Sequence, residues 1–253
     1  MNNYNPFSLE GKTILVTGAS SGIGQATAIE CSKMGAKVVL NGRNEERLKE
    51  TLAQMEGDGH VILSADIATQ EGLDKVIAEI PEIDGYVNSA GITSMTPLKN
   101  IGRDHMTELF NVNAVAPITL TAILVKKKKL KKQSSIVLIG SVNGCCIGNA
   151  GSSAYAASKG AILGYVKAAS LELASRGTRV NCISPGTVPT NMLREEAKMC
   201  TLEELIEQMV PFYPMKRLGK EEDIANGAVY LLSDASCWVT GQNLVIDGGY
   251  SAA

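Results

Sequence analysis

Tyr155 and Lys159 stand four positions apart in the run YAASK, residues 155–159. On a helix that spacing puts a phenol and an ammonium on one face, one turn apart. A free tyrosine titrates near pH ~10, too high for useful acid chemistry at neutral pH, and a neighbouring positive charge favours its ionised form. Such a pair could pass a proton to or from a substrate oxygen. Tyrosine and lysine are common enough that the pair alone is a weak motif. Its company strengthens it: Ser141 ends the apolar run SSIVLIGS (134–141), so Ser141 and Tyr155 can reach the same end of a sheet.

A second chemical feature is TGASSGIG at 17–24. Gly18, Gly22 and Gly24 remove side chains where the backbone turns, and they let a pyrophosphate approach the amides at a helix N-terminus. The run follows a strand-like segment and opens a helical one, which is the context the motif requires. The end of the next strand-like segment, VVLNGRN, selects the dinucleotide. It offers no carboxylate for a ribose 2′-hydroxyl, and Arg43 follows, whose guanidinium suits a 2′-phosphate. The expectation is a preference for NADPH, with NADH as the alternative.

The elements that must position these residues alternate along the chain. Strands are expected at 13–18, 36–42, 60–66, 84–91, 134–141, 178–186 and 243–249. Helices are expected from about 25 to 35, and at 44–55, 70–80, 103–133, 155–177 and 220–234. Short connections and strict alternation predict an α/β chain: one Rossmann domain over 1–253, a doubly wound parallel sheet of about seven strands with helices on both faces. The irregular segment 187–219 follows a strand end, where ligands bind in such sheets, and is expected to be the substrate lid.

Composition excludes several classes. The chain has 253 residues, 45% apolar and 20% charged, with a net charge of -2. It can build a full core without disulfides, and no overall field recruits nucleic acid or an anionic membrane. The six cysteines show no metal-ligand spacing with His60 or His105, so no metal site is expected and free thiols in a reducing cytoplasm are. The N-terminus lacks a secretion signal, and no apolar run looks long enough to span a bilayer.

TGASSGIG, NSAG (88–91), NVN (111–113), Ser141, YAASK, SPG (184–186) and TGQNLVIDGG (240–249) occur together in one order. In that ordered set, over nearly the whole chain, the sequence resembles the short-chain dehydrogenase/reductase family, and within it the 3-oxoacyl-(acyl-carrier-protein) reductase-like branch. The resemblance implies an NAD(P)-dependent oxidoreductase that interconverts a ketone and a secondary alcohol. It implies four catalytic positions. Tyr155 would protonate the substrate oxygen, and Lys159 would lower the phenol's pKa and hold the nicotinamide ribose. Ser141 would orient the carbonyl, and Asn113 would hold a water that connects Lys159 to solvent.

The resemblance also implies the cofactor contacts. Gly18, Ser20, Ser21, Gly22, Ile23 and Gly24 would form the phosphate loop, with Arg43 and Asn44 beside the adenosine end. Asp66 and Ile67 would meet the adenine, and Asn88, Ala90 and Gly91 its ribose side. Tyr155 and Lys159 would touch the nicotinamide ribose, Pro185, Gly186 and Val188 the nicotinamide, and Thr190 its carboxamide or the phosphates. A non-catalytic nucleotide sensor and a steroid, sugar or small-alcohol dehydrogenase are the alternatives.

The family resemblance implies a homotetramer. Its interfaces would use 103–133 with 155–175, and the last strand with the last helix. The lid residues Leu193, Met199, Leu205, Met209, Phe212 and Tyr213 suggest an apolar wall for an acyl chain or hydrophobic ketone. Ser89 stands where the family usually has a second asparagine, and the segment 70–83 is shorter than usual. KKKKLKK (126–132) reads as a solvated helix end, or as a dock for an acidic carrier protein. Cys145 and Cys146, just past Ser141, are expected to shape the pocket, because nothing nearby marks either as an activated thiolate.

Overall fold

A computed structural model describes residues 4–190 and 201–253. Seven strands form one parallel sheet: β1 (Thr13–Thr17), β2 (Lys37–Gly42), β3 (Val61–Ser64), β4 (Ile83–Asn88), β5 (Leu130–Ile139), β6 (Arg179–Pro185) and β7 (Asn243–Ile246). Their order is β3-β2-β1-β4-β5-β6-β7, every neighbouring pair parallel. The helices are α1 (Gly22–Lys33), α2 (Glu45–Leu52), α3 (Gln70–Glu79), α4 (Arg103–Phe110), α5 (Ala116–Lys126), α6 (Ser153–Leu173), α7 (Leu202–Met209) and α8 (Glu221–Leu232).

Alternation within the strands builds two cores. Leu15, Val39, Leu63 and Tyr86 face one way and meet α3, α5 and α6 through Leu73, Leu120 and Ile162. Ile14, Val38, Leu40 and Val87 face the other way and meet α1, α2 and α8 through Ala28, Leu48 and Ile224. Helices therefore cover both faces of the sheet, as a doubly wound α/β chain requires. Chain order reverses between β1 and β4, and a crevice opens there at the carboxyl ends of the strands.

The stretch expected to be helical over 103–133 divides. α4 passes through a π-helical turn, Asn111–Val115, into α5, which stops at Lys126. Lys128 takes the left-handed conformation (φ 56) that usually falls to glycine after a helix. Its amide donates to Val125 O, and that of Lys129 to Leu124 O. β5 then starts at Leu130, four residues before the expected strand, with an irregularity in its pairing to β4 between Ile83 and Gly85. The lysine run is thus partly bound into the fold. Lys129 Nζ donates to Ile80 O at 2.5 Å, and Lys131 pairs with Asp84 at 2.8 Å.

By length and composition the helical run Arg103–Lys126 could cross a bilayer, contrary to the expectation that no stretch is long enough. Its leucines 109, 120 and 124 are buried in the protein interior instead. Residues 191–200, which include Leu193 and Met199 of the expected lid, lie outside the described residues.

Candidate active site

A cavity of about 720 Å³ occupies the crevice. Its floor comes from the turn after β1. Gly18 has φ 69, and a Cβ there would lie 2.7 Å from Ala90 N in the loop after β4; a Cβ on Gly24 would lie 2.2 Å from Gly18 O. Only glycine permits that turn to press against its neighbour and against the first turn of α1. Ser21 caps α1 in extended conformation without a side-chain hydrogen bond, and no acidic residue sits in the first turn. The N-terminal amides therefore face the cavity uncompensated, which suits a pyrophosphate.

At the end of β2, Asn41 is buried and committed: its Nδ2 donates to Leu63 O at 2.9 Å and Ala65 O at 3.2 Å. Arg43 reaches the cavity edge, 75% exposed, with Nη1 4.0 Å from Asp66 Oδ2. Asp66 itself accepts from Ala68 N at 2.9 Å. No carboxylate stands on Asn41, Gly42 or Arg43, so the positive group is the one presented.

The opposite wall brings together the residues expected to carry the proton chemistry. Ser141 leaves β5 in extended backbone, and its Oγ accepts from Asn143 N at 3.2 Å. Half-buried Tyr155 and buried Lys159 come from the first two turns of α6, and all three residues line the cavity. Lys159 Nζ donates to Ile139 O, two residues before Ser141, at 2.9 Å. Desolvation brings the Lys159 ammonium down to about 8, so it remains mostly charged at neutral pH while shielded from water.

Asn113 does not line the cavity; it sits behind the wall in the π-helical turn. Its Oδ1 accepts from Ile92 N at 2.8 Å, and its Nδ2 donates to Ile92 O at 2.9 Å and Ser158 Oγ at 3.0 Å. Ser158 Oγ in turn donates to Tyr155 O at 2.7 Å. The side chain is fully used in joining the loop after β4 to α6. Pro117, four residues on, brings no N–H to the Asn113 carbonyl.

Of the other expected cofactor positions, Ser20, Ser21, Gly22, Ile23, Ile67, Ala90, Gly91, Pro185, Gly186, Val188 and Thr190 line the cavity. Gly24, Asn44 and Asn88 do not. Asn44 caps α2 by accepting from Arg47 N at 3.0 Å. Asn88 accepts from Thr17 Oγ1 at 2.8 Å and Tyr86 Oη at 3.1 Å, which fixes the β1–β4 switch point from below. Leu205 and Met209 of α7 face the cavity, as the apolar lid reading expects. Phe212 is exposed, and Tyr213 is buried with its hydroxyl accepting from Thr187 N at 3.0 Å, so neither forms the wall.

Sequence reasoning missed Ser94, Asn149, Ser152 and Tyr250, which also line the cavity. Ser94 Oγ lies 3.0 Å from His105 Nε2, and Tyr250 stacks on Tyr213 at 4.8 Å between ring centroids. Their common signal is position: Ser94 follows a strand end, and Tyr250 follows DGG after the last strand. The helix α7 also had a signal, the capping box between Thr201 and Glu204.

A family model described as Enoyl-(Acyl carrier protein) reductase matches residues 18–251. A 3-oxoacyl-(acyl-carrier-protein) reductase FabG from Thermotoga maritima is 36% identical over 250 residues, 95% of this chain and 98% of that one. The protein of the same name from Rickettsia felis is 34% identical over 241 residues, 95% of this chain and 97% of that one. Among solved structures, a dehydrogenase/reductase from Sinorhizobium meliloti superposes with TM-score 0.88 at 32% identity, covering 98% of each chain. A candidate NAD(P)-dependent gluconate 5-dehydrogenase from Beutenbergia cavernae, solved with NADP bound at low occupancy, gives 0.86 at 34% identity, covering 98% of this chain and 100% of that one. With the sheet order, the glycine turn and these matches in agreement, the chain belongs to the short-chain dehydrogenase/reductase family of oxidoreductases.

Proposed function

We propose that the protein is an NADPH-dependent reductase that turns a ketone into a secondary alcohol, with 3-oxoacyl thioesters as its substrate class. One observation carries the reading: a buried ammonium, Lys159, tied to Ile139 O one helical turn from Tyr155, in a cavity that the phosphate turn also lines. The nicotinamide coenzyme would supply the hydride.

The chain's own residues do the rest. The open N-terminus of α1 and the Gly18–Ile23 turn receive the pyrophosphate, Arg43 meets the 2′-phosphate, and Pro185–Val188 form the far side. Ser141 and Tyr155 donate hydrogen bonds to the carbonyl oxygen as negative charge builds on it. Tyr155 then gives that oxygen its proton. The charge on Lys159 favours the phenolate left behind. Proton supply runs past Lys159 toward Asn113, whose side chain holds the surrounding loop and α6 together.

Leu205, Met209, Met95 and Ile147 give the substrate end an apolar wall, which supports an acyl chain, as do the FabG relatives. A second reading, a sugar-acid dehydrogenase, rests on the polar Ser94–His105 pair in that same end and on the gluconate dehydrogenase neighbours. The lysine run does not support carrier docking within one chain. It lies at the start of β5, at the end of the sheet opposite Ser141.

The test is steady-state kinetics with NADPH and NADH on carrier-linked and simple 3-oxoacyl thioesters beside oxo sugar acids. Tyr155→Phe is expected to lower kcat by about 10²–10⁴ on the true substrate. Near-full activity in that variant would remove Tyr155 as the acid. Faster turnover of sugar acids than thioesters would replace the first reading with the second.

A further inference from the structure

Cys145 and Cys146 are neighbours in the turn that carries Ser141, and no step above uses them. Both are exposed, and their sulfurs stand 3.0 Å apart. Cys145 Sγ donates to Ser141 O at 3.4 Å. The turn is tightly held. The amides of Cys145, Cys146 and Ile147 all converge on Val142 O, at 3.2, 2.9 and 3.0 Å. Gly144 packs so closely on α6 that a Cβ there would lie 2.8 Å from Gly160 N and 3.0 Å from Lys159 Cβ. Any change of shape at 145–146 is therefore passed to Ser141 on one side and to the Lys159 turn on the other.

We propose that Cys145 and Cys146 form a redox switch: hydrogen peroxide converts them to a vicinal disulfide that disables the adjoining site. The regulation rests on the reductase reading of that site. The Cys145 sulfur attacks the peroxide oxygen, the O–O bond breaks, one water leaves and a sulfenic acid remains. The Cys146 sulfur then attacks the sulfenic sulfur, forms the S–S bond and expels the second water. Two thiols are oxidised and one peroxide is reduced to two waters. Either sulfur can make the first attack, because the 3.0 Å approach keeps the other within reach of the sulfenic sulfur.

Geometry makes this bond consequential and reversible. Adjacent Cα atoms stand only about 3.8 Å apart, whereas unstrained disulfides span about 4.4–6.8 Å. Closing the ring must distort the turn and remove the Cys145 S–H from Ser141 O. Strained, exposed disulfides are the readily reduced ones. The other described cysteines lack such a partner sulfur: Cys31 and Cys182 are buried, and Cys237 is exposed elsewhere.

The experiment treats the full-length protein with hydrogen peroxide, blocks free thiols and maps tryptic peptides. Cleavage after Lys132 and Lys159 leaves Cys145 and Cys146 as the two cysteines of peptide 133–159. That peptide is expected to lose two hydrogen masses and regain them with phosphine reductant. kcat should fall about tenfold or more in parallel, and recover with the reductant. Cys146→Ser should keep its activity within about twofold, both before peroxide and after peroxide followed by reductant, and should never show the two-hydrogen loss. A peptide that stays at its reduced mass would overturn the switch. So would a disulfide that forms without changing kcat. Failure of the reductase reading would appear separately, as no ketone reduction by the untreated protein.

Discussion

Lys159 shows what a single residue costs and what it supplies. Its charge is held in a nearly dry place, one helical turn from the Tyr155 phenol. The folded value, about 8 against an ordinary 10.5, means that folding disfavours the ammonium. The sign follows from linkage: where the unfolded chain binds more protons, stability rises with pH. The penalty is thus fully present below about pH 8 and relieved between about 8 and 10.5, a swing of about 3 kcal/mol. Urea unfolding of the cofactor-free protein should become harder across that window, and Lys159→Met should lack the rise. A wild-type curve flat from pH 8 to 10.5 would contradict a desolvated ammonium. Arg43 makes the opposite case, an exposed charge with little to do in the free protein. Arg43→Ala should raise KM for NADPH about tenfold, leave KM for NADH unchanged, and leave stability within about 0.5 kcal/mol. Equal shifts with both coenzymes would remove the 2′-phosphate assignment. These positions were legible in the sequence because glycine turns and ordered motifs tie residue type to a place in the sheet. The roles of Asn88 and Asn113 were less so: an asparagine's type does not reveal whether it faces a ligand or a neighbouring loop.

At the scale of elements, the helical run 103–126 is where the sequence misled and where the structure is most informative. Lysine is a good helix former, and no glycine or proline marks the end of α5, so local propensity ran the helix on to 133. Tertiary pairing decided otherwise. Leu130 and Ile136 are needed in the core, and Lys128 accepted the left-handed turn that lets the chain enter β5. Propensity is equally blind to the π-helical turn, in which the Asn113 side chain is fixed by three hydrogen bonds. That fixing is strong enough to measure. Asn113→Ala removes three hydrogen bonds and leaves Ile92 N–H and O and Ser158 Oγ to find other partners. Unpaired buried polar groups cost about 1–3 kcal/mol each, with partial relief from entering water, so a net loss of about 2–4 kcal/mol is expected. Chemical denaturation should show it, together with a fall in kcat from a loosened Tyr155–Lys159 wall. Unchanged stability would mean that the π turn holds the loop without the side chain.

For the whole molecule, the surface left by this packing argues for assembly. Leu171 on α6 is 79% exposed and Val115 at the head of α5 is 50% exposed, both on the helical layer that covers one sheet face. Trp238, 96% exposed, lies in the connection to β7, the open edge of the sheet. Single exposed apolar side chains are ordinary, but Trp238 precedes an edge strand, and an unpaired sheet edge invites a partner. Leu171 and Trp238 belong to different elements, α6 and the connection to β7. Each can pair with its own copy about a separate two-fold axis, and two such axes generate a tetramer of dihedral symmetry. The prediction separates the interfaces. Light scattering should find the wild type as a tetramer, Leu171→Arg and Trp238→Arg each as dimers, and the double variant as a monomer. Because Leu171 is on α6, which also carries Tyr155 and Lys159, the first variant should lose more activity than the second. A wild type that runs as a monomer, or one variant that dissolves both contacts, would refute the two-axis arrangement.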